Sequence, residues 1–201
     1  LLQAFEGRNK RVPVWFMRQA GRYLPEYRRL KDKYELDELF RTPKIAAQIT
    51  VLPVGILNVD AAILFADILS LPSLMGVGVS FHPTKGPVIK LKGDLLKLKD
   101  IKGADKIQKT CQLAKAQLSH QTALIGFAGS PFTVMTYLTD GHSQSSLIKT
   151  IRFIEEDPSR YHQWMEKLTR NTIRYLQCQI EAGADCYQLF DTWAGQLRAS
   201  D

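Results

Sequence analysis

Short apolar runs of strand-forming residues alternate with helix-period segments along the whole 201-residue chain, and this alternation restricts the fold more tightly than anything else in the sequence. The runs are Val12 to Met17, Ala61 to Ala66, Ala123 to Phe127 and Cys186 to Phe190. Each is apolar on both faces, the pattern of parallel strands covered by helices on either side. Between them the sequence predicts helices over Pro25 to about Arg41, Pro43 to about Leu57 with a bend at Pro53, Asp105 to about Ser119, Pro131 to Asp140, and Pro158 to Ala182. Four of these begin on a proline, which has no N–H to lose at a first helical position, and Gly183 ends the last. Val77 to Phe81 and Pro87 to Leu91, on either side of Thr84-Lys85-Gly86, read as an inserted β-hairpin. No repeat, low-complexity tract or linker divides the chain, so residues 1–201 are expected to form one α/β domain built of βα units.

Composition narrows the class. A hydrophobic content of 45% suffices for a sizeable core, and no apolar run approaches a membrane span. Cys111, Cys178 and Cys186 are odd in number and lack a metal-binding spacing, so neither disulfides nor zinc are expected. The net charge of +7 could serve nucleic acid, an acidic membrane or a small anion. No nucleic-acid motif is present, and Lys85, Lys90, Lys92, Lys97, Lys99, Lys102 and Lys106 are scattered without interleaved aromatics, as lysines that serve solubility are. A soluble cytoplasmic enzyme with no nucleic-acid or membrane partner is the expectation. The chain starts at Leu1 without an initiator Met and stops at Asp201 just after a strand-like motif, ends that read as those of a fragment.

Chemistry concentrates between the first run and the first helix. There Met17-Arg18-Gln19-Ala20-Gly21-Arg22-Tyr23-Leu24-Pro25-Glu26 carries two guanidiniums on a glycine-containing turn. Arginine is always charged and its planar fork matches a carboxylate bidentately, so the pair suits a polyanionic ligand. The competing reading is plain solvation, which Arg28, Arg29, Lys31 and Lys33 on the next helix exemplify; Glu26 belongs to that helix's first turn. Asp67, after the second run, reads either as the N-cap of a helix beginning at Ile68 or as a site carboxylate.

The stretch Pro13-Val14-Trp15-Phe16-Met17-Arg18-Gln19-Ala20-Gly21-Arg22-Tyr23-Leu24-Pro25-Glu26-Tyr27-Arg28 resembles the N-terminal signature of the uroporphyrinogen decarboxylase family. Ala62 to Leu69, Gly126 to Thr133, Thr136-Tyr137-Leu138 and Tyr187 to Gly195 extend the resemblance along the whole chain. It implies a (β/α)8 TIM barrel, of which this chain would supply roughly the first four βα units plus the hairpin. In such barrels the active site lies at the C-terminal ends of the strands. Arg18 and Arg22 would follow strand one, Asp67 strand two, Gly129 and Ser130 strand three, and Thr192 strand four.

The resemblance also implies roles. Arg18 and Arg22 would hold substrate carboxylates, with Arg18 a candidate to relay a proton; Gln19, Ala20 and Gly21 would add backbone and amide contacts. Asp67 would be catalytic, its carboxylate facing the four pyrrole N–H donors of a porphyrinogen with roughly four acceptor sites. Tyr137 matches the family's active-site tyrosine, against the alternative of a packed core aromatic. Thr192 stands where the family places a small hydroxyl residue, against the alternative of a strand-end turn. The implied reaction converts uroporphyrinogen III to coproporphyrinogen III with no metal or organic cofactor, in a protein that is a homodimer when full length. The family's late active-site histidine has no counterpart, since His82, His120, His142 and His162 do not match its position. Two other readings remain: a tetrapyrrole- or anion-binding half barrel without turnover, and a zinc-dependent cofactor methyltransferase of the same superfamily.

Overall fold

The computed structural model describes residues 1–82, 86–141 and 147–198. Its elements run in chain order α1 (Leu2–Phe5), α2 (Pro25–Lys33), α3 (Leu36–Arg41), α4 (Pro43–Leu57), β1 (Ala61–Ile63), α5 (Ser70–Leu74), β2 (Gly78–His82), β3 (Gly86–Lys90), α6 (Asp105–Lys115), β4 (Ala123–Gly129), α7 (Pro131–Asp140), α8 (Ile148–Glu156), α9 (Pro158–Glu181) and β5 (Cys186–Phe190). Among the described residues β1, β4 and β5 form a three-stranded sheet in the order β1-β4-β5. Strands β1 and β4 are parallel, with Ala61, Ala62 and Ile63 opposite Ala123, Leu124 and Ile125. Every residue of β1 and β4 is buried, as the apolar runs require. The chain groups into two compact units.

The first unit comprises Leu1–Asp67, Ala104–Phe127 and Leu176–Gln188. Helices α4 and α6 pack together, α6 burying Ile107, Thr110, Cys111 and Ala114. Two expectations change here. The segment Val12 to Met17 is extended but is not a strand. Pro13 has no N–H to offer, and side chains take the place of a ladder: Val14 N donates to Asp60 Oδ2 at 2.7 Å and Phe16 N to Gln19 Oε1 at 3.1 Å. Val12, Val14 and Phe16, which share one face, are 78%, 45% and 55% exposed. The helix expected from Pro25 to Arg41 is also interrupted, with Tyr34 and Glu35 in extended conformation. The break lets Tyr27 of α2 and Leu39 of α3 share one apolar cluster with Leu24 and Ile49.

The second unit comprises Ile68–Gly103, Ala128–Tyr175 and Leu189–Asp201. The hairpin forms as expected, β2 pairing antiparallel with β3 from Gly78 opposite Lys90 to His82 opposite Gly86, while residues 83–85 of its turn lie outside the described residues. Helix α8 was not legible locally because its cap is remote: Asp140, at the end of α7, accepts from Lys149 N at 3.2 Å and from Thr150 Oγ1 at 2.6 Å. The segment after β3 is fastened to α9 by side chains, with Trp164 Nε1 donating to Asp94, Asn171 Nδ2 to Asp100, and Lys167 Nζ to the Leu98 carbonyl. Lys90, Lys92, Lys97, Lys99, Lys102 and Lys106 are exposed; Lys85 lies outside the described residues.

Candidate active site

The Arg18 to Arg22 turn is built around a buried amide. Gln19 is only 1% exposed. Its Oε1 accepts from Phe16 N at 3.1 Å and its Nε2 donates to the carbonyl of Ala61, the first residue of β1, at 2.9 Å. The Tyr23 hydroxyl donates to the Gln19 carbonyl, and Leu24 N donates to the Gly21 carbonyl at 3.0 Å. Ala20 packs against the cluster of Leu24, Tyr27, Leu39 and Ile49. A Cβ on Gly21 would stand 3.2 Å from the Arg18 carbonyl and 3.3 Å from the Tyr23 ring, so this turn closes tightly only with glycine.

Arg18 and Arg22 are exposed on this braced turn, and neither forms an ion pair with a described residue. A guanidinium on a fixed backbone and open to solvent can accept a ligand carboxylate without first leaving an internal partner. Burial pushes the Tyr27 hydroxyl above its ordinary pKa, and the charge of Arg22 opposes that shift.

Asp67 is half-buried and lies four residues beyond the end of β1. It does not cap a helix at Ile68: α5 begins at Ser70, with Leu69 at the cap position. The approach to it is held from several sides. Leu64 N donates to the Ile125 carbonyl at 2.9 Å and Phe65 N to Thr50 Oγ1 at 2.9 Å. The Phe65 ring stacks on Phe40 at 4.8 Å and meets Tyr27 edge-on at 5.9 Å. Gln19 ties the arginine turn to the head of the strand whose other end leads to Asp67.

Tyr137 and Thr192 belong to the second unit. Tyr137 is half-buried on α7 and its carbonyl accepts from Gly141 N at 3.0 Å. Thr192 is exposed, next to Asp191, whose Oδ1 accepts from Thr133 Oγ1 at 2.8 Å. Trp193 N donates to the same Thr133 hydroxyl at 3.3 Å, and Ser130 N to the Phe190 carbonyl at 2.8 Å. The loop carrying Thr192 is thereby fixed to the first turn of the helix that carries Tyr137. Gly129 allows close approach there, since a Cβ on it would lie 2.9 Å from Val134 Cγ2 and 3.0 Å from Ile68 Cβ.

Among the described residues no group of three or more His, Cys, Asp or Glu side chains is placed to hold a metal ion. Cys111 and Cys178 are buried and Cys186 half-buried; burial pushes the Cys111 thiol up to about 12. His82, His120 and His162 are exposed, and His142 lies outside the described residues. Sequence reasoning did not single out Thr50, Asp60, Thr133 or Asp191, because the partner of each stands 15 to 60 residues away and no local pattern announces it.

A family model described as uroporphyrinogen decarboxylase (URO-D) matches residues 1–201. The chain belongs to the uroporphyrinogen decarboxylase family. Curated relatives agree: a uroporphyrinogen decarboxylase of Roseiflexus sp. (strain RS-1) is 42% identical over 197 residues, covering 94% of this chain and 57% of the relative. That of Thermodesulfovibrio yellowstonii is 43% identical over 206 residues, covering 100% of this chain and 61% of the relative. The chain thus spans about three fifths of the length of these uroporphyrinogen decarboxylases. Among solved structures, a methyltransferase from Methanosarcina mazei matches with a TM-score of 0.73 at 19% identity, over 98% of this chain and 60% of that one. At that identity the likeness speaks for the fold alone. It agrees with an α/β chain forming part of a (β/α)8 barrel.

Proposed function

We propose that the full-length protein is a uroporphyrinogen decarboxylase, which removes carbon dioxide from the four acetate side chains of uroporphyrinogen III to give coproporphyrinogen III. The observation that carries the reading is the pair of exposed guanidiniums, Arg18 and Arg22, with no ion-pair partner among the described residues, on a turn braced by buried Gln19, in a chain of this family. Arg18 and Arg22 take the substrate carboxylates. Gly21 admits the close turn and Ala20 presents backbone to the ligand, while buried Gln19, its backbone engaged with Phe16 and Tyr23, contributes from within the turn. Asp67 faces the pyrrole N–H groups, and Tyr137 and Thr192 supply hydroxyls to a substrate carboxylate. Residues 1–201 act as one domain of the barrel. In this reading the protein works in the cytoplasm as a homodimer.

The chemistry follows from where electrons must go. A proton added to the ring carbon between the nitrogen and the acetate-bearing carbon makes the ring cationic, with the charge shared between the nitrogen and the acetate-bearing carbon. The bond between the acetate methylene and its carboxylate then breaks, carbon dioxide leaves, and the bonding pair neutralises the ring as an exocyclic methylene. A proton on that methylene gives the methyl group, and loss of the ring-carbon proton restores the pyrrole. The ring is cationic before carbon–carbon cleavage and again once the methylene is protonated, so a fixed negative charge at its nitrogens stabilises both species. The pyrrole is its own electron sink, and no step calls on a metal or organic cofactor. Arginine side chains stay protonated at working pH, so the contribution of Arg18 here is its charge rather than its proton.

The test is anaerobic incubation of uroporphyrinogen III with protein dialysed against chelator, followed by chromatography of the products. Seven-, six- and five-carboxylate intermediates leading to coproporphyrinogen are expected. Activity that vanishes on chelation and returns with zinc would instead support the metal-dependent methyltransferase reading.

A further inference from the structure

Gln19 has a position that substrate contact alone does not account for. It is 1% exposed, so its amide is not presented to solvent. Both of its side-chain atoms are engaged, Oε1 with Phe16 N on the chain entering the turn and Nε2 with the Ala61 carbonyl at the head of β1. Its own N–H donates to the Phe16 carbonyl at 3.1 Å, and its carbonyl accepts from the Tyr23 hydroxyl on the chain leaving the turn. One buried residue thus joins entry, exit and strand. The guanidiniums at Arg18 and Arg22 stand one residue before it and three after.

We propose that Gln19 is a positioning residue: its buried amide locks the turn to the carbonyl of Ala61 and so fixes the spacing at which Arg18 and Arg22 present their forks to a polycarboxylate. Two ligand carboxylates held at a fixed separation reward a fixed pair of arginines, and a turn free to move forfeits that fit. Only an amide serves here, because the site asks for an acceptor toward Phe16 N and a donor toward Ala61 O at once. Glutamate keeps the acceptor and turns a carboxylate on the Ala61 carbonyl, and methionine keeps the length and loses both bonds. The proposal rests on the decarboxylase reading for its ligand and on the geometry alone for its brace.

The experiment uses the full-length protein with Gln19→Met, Arg22→Ala and the double variant. Steady-state kinetics on uroporphyrinogen III should show KM raised about tenfold by Gln19→Met with kcat changed less than threefold. In the Arg22→Ala background the same change should raise KM by less than threefold, because the two residues act through one contact. Hydrogen exchange should quicken at the amides of residues 17–24 while Leu124 and Ile125 of β4 keep their protection, which distinguishes a loosened turn from an unfolded protein. Independent, multiplicative KM effects or unchanged exchange in the turn would overturn the proposal. Quickened exchange in a protein whose wild type does not decarboxylate uroporphyrinogen would leave the brace standing and overturn the functional reading instead.

Discussion

In the proposed site the binding half rests on few atoms, those of Arg22 and Gly21. Arg22 stands exposed on a turn that Gly21 closes, with the Arg18 carbonyl 3.2 Å from where a Cβ would be. Arg22→Ala removes a charge-assisted contact made equally in the ground and transition states, so KM should rise by about tenfold or more with kcat little changed, as steady-state kinetics would show. An unaltered KM would remove Arg22 from the site. The turn was legible in the sequence because a glycine between two arginines, inside a long fixed motif, is a local pattern. The brace was not: Gln19 meets Ala61 across 42 residues, and no pattern in the sequence distinguishes a buried glutamine from a solvated one.

At the scale of elements, β4 and α9 are joined by another buried glutamine. Gln179 Oε1 accepts from Phe127 N at 2.8 Å and its Nε2 donates to the Phe127 carbonyl at 2.9 Å. A Cβ on Gly126 would stand 2.6 Å from that Oε1. Gly126→Ala must therefore displace the amide and strand two buried backbone groups, a destabilisation of about 2 to 4 kcal/mol by urea denaturation. Loss of less than about 0.5 kcal/mol would mean the amide relocates freely. The runs Ala123 to Phe127 and Cys186 to Phe190 became strands as read, because largely apolar runs in a chain of alternating helices have few other places to go. Val12 to Met17 did not, since Pro13 and the side-chain bonds to Asp60 and Gln19 replace a ladder. Helix α8 escaped notice for the same kind of reason, its cap lying on α7.

For the molecule as a whole, charge sets the response to acid. The +7 net charge grows as carboxylates protonate. Asp60, Asp94 and Asp100 sit below their ordinary pKa. Asp60 is lowered chiefly by its bond from Arg11, and Asp100 by bonds from Asn171 and Lys167. For Asp94 burial works upward, but Leu96 N, Trp164 and Arg160 together outweigh it. A depressed folded pKa contributes stability that is present above the unfolded value of about 4 and is lost as pH falls through the folded value. The melting temperature should therefore hold from neutral pH to about 5 and drop below about 4. Asp94→Asn should flatten that drop, and an unchanged acid profile in the variant would show that these anchors do not govern it.

In the proposed function Asp67 supplies the charge that lets a pyrrole ring act as its own electron sink. The turnover number of Asp67→Asn on uroporphyrinogen III measures it most directly. The change keeps size while removing the charge and replacing one acceptor oxygen with an NH2 donor, so kcat should fall by about a hundredfold or more and KM should change far less. A variant that decarboxylates at the wild-type rate would contradict the account.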